Sequence, residues 1–599
     1  MASRSCSPPP RSTIHGYRTI FPIPLAAASS FDPDVAFEGH RFGARESAAV
    51  GLKQIYSPMV DVSHEPRWGR ISEGGGEDPY LNSVYAAARV KGAQGTDYSA
   101  PDKVVTSVKH YGAYGQPEGG MDYNTADMSE QRLRNLYPPP FKAAIDAGAD
   151  TAMCSFNAIN GVPGCGNVAL ETDLLKEEWG FDGFIESDYT AVAELRACPA
   201  RTPDSGPCGH GTAADGPDAA ALALNSGTDS EMVSTFTRDY GKELLADGRI
   251  SPRRIDDAVS RILRVKFRAG LFENPYVDPA KAQAAQLLPD AVAAARTAAG
   301  RSMVLLKNEG ELLPLDPARS TVVIGPLANN DHDMLGPWPG RGVDGDAVAV
   351  FDGIKAQNPL TTYVEACSIA DKEPPNNSPL EECGTDAGFA EAVAVARAAD
   401  QVVLALGESR GQSGEAAART EIDLPGLQEQ LIAQIAATGK PFVVVLFGGV
   451  NPGGKLPVSF PRNVGQVPIY YNHEPTGRPC DVTSKYNSRY RDLTECGPQY
   501  DFGFGLSYTT FDISNLRLSS PNVSKKDTIT ASVDVTNTGA REGDEVVQLY
   551  INDPVASISQ PVRRLRGFER VTLAPGATTT VTFTLGADDF GFYDEQFHR

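Results

Sequence analysis

Several features are missing from this 599-residue sequence, and each absence narrows the function. No apolar run reaches the ~18–20 residues a membrane-crossing helix needs, so no membrane span is expected. Positive charge is in deficit: 54 Lys and Arg face 76 Asp and Glu, for a formal net charge of −22. No basic stripe offsets phosphate repulsion, which argues against a nucleic-acid partner. No GxGxxG follows an apolar strand, so dinucleotide binding has little support. Cysteine has no CxxC spacing, and no ligand set has catalytic metal spacing, which speaks against zinc and thioredoxin-like chemistry. The opening MASRSCSPPPRST has no apolar h-region, so no secretory signal is expected in it.

Nine cysteines are nevertheless present. Cys6 stands alone, and the others form sequence-near couples: Cys154 with Cys165, Cys198 with Cys208, Cys367 with Cys383, and Cys480 with Cys496. Local disulfides in an oxidising compartment are one reading, and reduced buried thiols in a cytoplasmic protein are the other.

The patterning changes along the chain. From about Leu52 to Phe272, strand-like and helix-like stretches alternate, which argues for βαβ units and a parallel sheet. The strands expected are KQIYSPMVDV, KVVTSVKHYGAYG, DTAMCSFNAI, DGFIESD and the short GTDSEM. TIFPIPL is a further strand candidate, and the total still falls short of the eight in a complete barrel. SPRRIDDAVSRILRVKFRAGLF reads as a helix capped by Ser251, with Pro252 in its first turn and Ile255, Val259 and Ile262 along one face. A Pro- and Ala-rich linker covers 274–300. A second α/β region follows, with strands SMVLLKNEG, STVVIGPLA, DQVVLALGE and PFVVVLFGG and helices FAEAVAVARAAD and GLQEQLIAQIAATG. Beyond residue 505 the period becomes two, and TITASVDVTNTG, DEVVQLYIND and TTTVTFTLG read as strands of a β-sandwich.

Chemistry in a parallel α/β barrel gathers where strands end, and polar groups interrupt three strand ends here. EPRWGRISEGGGEDP carries Arg67, Arg70, Glu73, Glu77 and Asp78. Lys109 and His110 break an otherwise apolar strand end, and Asp188 closes GFDGFIESD. Each has a bland alternative: loop-bracing ion pairs, a satisfied interior histidine, a turn or helix cap.

Taken together, PRWGRISEGGGEDPYL, SVKHYGAYG, MCSFNAINGVPG, GFDGFIESDY, LPLD, NPGGKLPVSFP and FGFGLSYTTF, in this order from about His15 onward, resemble glycoside hydrolase family 3. The resemblance implies an α/β multidomain protein: an incomplete (β/α)8-like barrel over 1–273, the 274–300 linker, an α/β sandwich over 301–504 and a fibronectin III-like β-sandwich over 505–599. It implies a retaining, exo-acting β-glucosidase acting on β-glucosides or short β-linked oligosaccharides, with no cofactor. Such a reaction needs one carboxylate to trap the anomeric carbon and a second carboxyl to protonate the leaving oxygen. By resemblance the nucleophile is Asp188 and the acid/base is Glu415, with Glu408 as runner-up. Arg70, Lys109 and His110 match the residues that hold the sugar hydroxyls. Met153 and Phe156 match a wall against the sugar face, and Tyr189 the position after the nucleophile that shapes the acceptor side. The family also implies a secreted or periplasmic location.

The sequence departs from the family at three places. Ser12 stands where relatives carry a sugar-binding Asp, and the first strand–helix portion of the barrel is missing. A further helix and strand are absent between FVVVLFGG and VNPGGKLPVSFP, which should leave a sheet edge or an apolar face uncovered. The end, DEQFHR, stops before the last expected sandwich strand. A β-xylosidase, or a dual β-glucosidase/β-xylosidase, is the alternative enzyme. A catalytically impaired carbohydrate-binding remnant is the alternative of another class.

Overall fold

The computed structural model describes residues 16–198, 208–370, 381–447, 453–483, 486–524 and 526–598. Ser12, Cys6 and the junction after Gly449 lie outside them. The chain forms two compact units. One comprises Met1–Thr19, Pro33–Ala294 and Phe592–Arg599, and the other Ile20–Asp32 and Ala295–Gly591.

The first unit is built on a parallel sheet of 4 strands, in the order Gln54–Ile55, Val105–Tyr111, Thr151–Cys154, Phe184–Glu186. Thr151 pairs with Ser107 on one side and with Phe184 on the other. Every residue of the Val105–Tyr111 strand is buried, as a parallel strand covered on both faces should be. The sheet is extended by single bridges, Met59 to Lys109 and Glu186 to Ser230, so GTDSEM contributes a bridge and not a strand. Trp68, Val108, Tyr111, Tyr114, Phe141 and Ile185 belong to one continuous apolar cluster that fixes the strands against their helices.

Helix Pro252–Arg268 begins as its sequence dictates: the Ser251 side chain accepts from the Arg254 amide, and Pro252 opens the first turn. Its buried face differs from expectation. Ala258 and Val265 are buried, flanked by the partly buried Ile255 and Ile262, while Val259 is 48% exposed. The buried face runs through Ile255, Ala258, Ile262 and Val265 in steps of three and four, and Val259, although four residues beyond Ile255, is left outside it.

TIFPIPL is not a strand. Pro24 takes the first turn of helix Pro24–Ser29, because a proline has no amide to give a sheet but costs nothing at a helix start. The segment belongs to the second unit, where Phe31 meets Phe502 and Phe568 edge-on and the Ser29 carbonyl accepts from the Lys455 amide at 2.8 Å. The 274–300 stretch is largely helical, with helices Pro279–Ala284 and Pro289–Ser302.

In the second unit a parallel sheet of 4 strands has the order Phe442–Phe447, Gln401–Gly407, Thr321–Ile324, Thr361–Val364. SMVLLKNEG, expected as a strand, instead continues out of helix Pro289–Ser302 and contributes one bridge, Leu305 to Leu506. The strand Thr361–Val364 takes its place at the sheet edge. At the other edge, Val444 is 36% and Leu446 41% exposed.

The same unit ends in a β-sandwich: Phe511–Leu518, Ile529–Asn537 and Thr578–Leu585 form one antiparallel sheet, Gly543–Ile551 and Arg564–Leu573 the other. Val535, Val547, Leu573 and Val581 pack between them. Disulfides join all four sequence-near cysteine couples, 154–165, 198–208, 367–383 and 480–496, so the reduced-thiol reading does not hold for them. Among the described residues no helix is long and apolar enough to cross a membrane.

Candidate active site

The first unit gathers its polar side chains where the parallel strands end. Strand Phe184–Glu186 stops because Ser187 leaves the ladder: its amide donates to the Ser230 carbonyl at 2.9 Å, and its hydroxyl accepts from the Met232 amide at 2.8 Å. The chain then turns through Asp188, 7% exposed. Asp188 Oδ1 accepts from the Tyr189 amide at 2.6 Å. The following helix, Ala191–Glu194, has Thr190 as its N-cap residue, with φ 62°. The Asp188 side chain therefore does not cap it, although the residue begins the turn, its carbonyl accepting from the Ala191 amide at 3.1 Å.

His110 sits near the end of strand Val105–Tyr111, two strands away in the sheet, and is fully buried. Its Nε2 lies 3.0 Å from an Arg70 nitrogen and 3.4 Å from Asp188 Oδ2. Guanidinium has only donors, so Nε2 must be the acceptor. The ring proton is then on Nδ1, which donates to Asp61 Oδ2 at 2.9 Å, and the same oxygen accepts from the His110 amide at 3.1 Å. Burial first, then the positive charges of Arg70 and Lys109, hold the imidazole well below its usual pKa, which keeps it neutral. Burial also pushes the Asp61 carboxyl up to about 7, against the lowering effect of its bond from the His110 amide.

Arg70 continues the network through two bonds to Glu73, 2.8 Å and 3.2 Å. Glu73 also lies 4.0 Å from the Lys109 ammonium. Arg70, Glu73 and Lys109 are all buried. A carboxylate between two cations fixes where both point, the support a buried charge requires. The loop's other charges act locally. Arg67 pairs with Glu65, and Asp78 caps helix Pro79–Gln94 by accepting from the Leu81 amide at 2.6 Å.

Aromatic rings line one side. Tyr114 stands edge-on to His110, with centroids 4.9 Å apart, under the Arg70 guanidinium at 5.5 Å. Phe156 follows at 6.1 Å from Tyr114, and Tyr123 at 5.3 Å from Phe156. Trp68 and Tyr114 both donate to Asp122 Oδ1, at 2.8 and 2.7 Å, which stiffens the wall. Met153, buried on its strand, pairs in register with Glu186. Tyr189 is 58% exposed. The structure thus brings Arg70, Lys109, His110, Phe156 and Asp188 into one linked cluster. It adds Asp61, which sequence reasoning left unassigned; a lone carboxylate inside the apolar PMVDV run was the available signal.

Glu415 and Glu408 belong to the second unit. Glu408 directly follows strand Gln401–Gly407 and forms an ion pair with Arg419. Glu415, half-buried, sits between Gly414 at φ 101° and Ala416 at φ 58°. A side chain at Gly414 would be strained by that φ and would meet the Pro337 ring at 3.0 Å. The loop is anchored upstream, where the Arg410 amide donates to Asp333 Oδ1 at 2.8 Å. Among the described residues one cluster has metal-like spacing, Cys154, Cys165 and Glu171, and its two sulfurs are bonded to each other.

Comparison with known proteins bears on the whole chain. The model of the glycosyl hydrolase family 3 N-terminal domain matches residues 11–265. That of the family 3 C-terminal domain matches 303–447 and 444–508, and a fibronectin type III-like domain matches 545–599. The periplasmic beta-glucosidase of Salmonella typhimurium is 41% identical over 97% of this chain and 82% of its own length. A beta-xylosidase of Formosa agariphila is 34% identical over 98% of this chain and 85% of its own. The crystal structure of a beta-glucosidase from Listeria innocua in complex with glucose superposes with a TM-score of 0.88 at 35% identity, covering 98% of this chain and 83% of that one.

Proposed function

Because the chain belongs to glycoside hydrolase family 3, we propose that Asp188 is the nucleophile of a retaining, exo-acting β-glucosidase and Glu415 its acid/base. The observation that carries the nucleophile is the Arg70–His110–Asp188 arrangement, a buried carboxylate at a strand end facing a neutral imidazole fixed by a cation. One Asp188 oxygen is tied to the Tyr189 amide, and the other lies toward His110.

In the first step Asp188 attacks the anomeric carbon, the glycosidic C–O bond breaks, and Glu415 gives its proton to the departing oxygen. In the second, Glu415 takes a proton from water, water adds to the anomeric carbon, and Asp188 leaves as a carboxylate. Arg70 and Lys109 donate to sugar hydroxyls, and His110, whose Nε2 accepts from Arg70, orients that guanidinium toward them, with Met153 and Phe156 against the sugar face. Hydrogen bonds from charged donors strengthen as the ring flattens toward an oxocarbenium ion. Tyr189, exposed beside the nucleophile, shapes the acceptor side. The substrates are β-glucosides and short β-linked glucosides. The four disulfides and the periplasmic relative support a secreted or periplasmic location.

Proton NMR of the first sugar released from a β-glucoside tests the stereochemistry: the β-anomer is expected, and an initial α-anomer sinks the two-carboxylate reading. Asp188→Ala should abolish turnover. The β-xylosidase relative keeps a xyloside reading open, decided by rates on paired aryl glucoside and xyloside. Binding of glucose without turnover of either would favour the impaired remnant.

A further inference from the structure

Glu186 is a buried acid that the reaction as described does not use. It is 6% exposed, on the last residue of strand Phe184–Glu186, two positions before Asp188. The period of two puts it on the same side of its strand as Phe184, in line with Ser107 and Lys109 of Val105–Tyr111 and with Thr151 and Met153 of Thr151–Cys154. From the first strand, Gln54 donates its side-chain amide to Glu186 Oε1 at 2.8 Å and reaches Thr151 at 3.3 Å. The charges that act on it are Asp188, two positions along its own chain, and Lys109 of strand Val105–Tyr111. The Ile185 amide donates to Asp229 Oδ2 at 2.9 Å, and Arg254 and Lys176 pair with that carboxylate. Burial raises the Glu186 carboxyl to about 7, so it changes charge inside the working range of an enzyme.

We propose that Glu186 is a positioning residue that makes the second half of the reaction pH-sensitive through Asp188. Glycosylation converts the Asp188 carboxylate into a neutral ester, and deglycosylation restores the anion. A proton on Glu186 leaves Lys109 to Glu73. Once Glu186 ionises, a further negative charge competes for Lys109 and opposes the return of the Asp188 carboxylate. It therefore slows deglycosylation while favouring glycosylation. This proposal rests on the reading of Asp188 as nucleophile.

The test uses 2,4-dinitrophenyl β-D-glucoside, whose leaving group needs no acid, so that turnover at saturation reads deglycosylation. For the wild type, kcat should fall about fivefold from about pH 6 to pH 8.5, while kcat/KM does not fall with it. Loss of a general base does not explain such a fall, because a base only gains as pH rises. Glu186→Gln should keep turnover near pH 6 and lose the decline. Gln54→Leu removes the bond that favours ionisation, and should move the decline to higher pH. Identical profiles in the wild type and both variants, with Asp188→Ala inactive, overturn the role of Glu186 alone. Full turnover by Asp188→Ala overturns the nucleophile assignment and this proposal with it.

Discussion

The Arg70 guanidinium donates to His110 Nε2 at 3.0 Å, and this one bond sets the protonation pattern of the site. It places the imidazole hydrogen on Nδ1, against Asp61, and turns a lone pair toward the side of the ring where Asp188 lies. An imidazolium here would neutralise the carboxylate that has to attack. Arg70 thus supplies positive charge without adding a proton to the ring.

Arg70→Met should therefore damage more than sugar binding. It leaves Glu73 with only the Lys109 ammonium of its two cations and removes the donor to His110. Loss of a buried charge-assisted network costs about 3 kcal/mol or more, or about 100-fold or more in kcat/KM. Steady-state kinetics on an aryl glucoside checks this; a loss below about tenfold would mean that Arg70 only braces the loop.

Glu415 and Glu408 separate by rescue. Glu415→Ala should lose turnover of alkyl glucosides, keep partial turnover of 2,4-dinitrophenyl glucoside, and recover with azide as an external nucleophile. Glu408→Gln breaks the pair with Arg419 and should lower activity less, with no azide effect. Rescue of Glu408→Ala in place of Glu415→Ala would exchange the two roles.

The buried acids also make stability depend on pH. Asp61 and Glu186 both rise to about 7 in the folded chain. The folded state then holds their protons more tightly than the unfolded chain does. The stabilisation is complete below about pH 4 and is lost as pH rises through about 7. For Glu186 the shift corresponds to roughly 3 kcal/mol. Removing its titration in Glu186→Gln should flatten the fall in melting temperature between about pH 5 and pH 8, and parallel pH curves for the two proteins would contradict this.

Much of this could be read from the residues, and the failures have physical causes. Alternating patterns found the helix starting at Ser251, the strand Gln401–Gly407 and the sandwich strands, since each buries enough apolar surface to impose its period. TIFPIPL misled because its apolar content is strand-like while its prolines favour a helix start. TTYV, Thr361–Val364, went unnoticed because an edge strand with two exposed residues shows no apolar run. In the site, side chains placed by strand ends were legible. Partners acting across the fold, such as Asp61 on His110 and Gln54 on Glu186, were not, because tertiary packing alone joins residues 49 and 132 positions apart.

The central claim is that Asp188 forms a bond to the sugar. Incubation with 2,4-dinitrophenyl 2-deoxy-2-fluoro-β-D-glucoside, which slows both steps and accumulates the glycosyl-enzyme, followed by peptide mass spectrometry, measures it directly. The account predicts one fluoroglucosyl group per chain, on the GFIESDY peptide at Asp188. A label on another carboxylate, or full turnover with no labelled peptide, would contradict it.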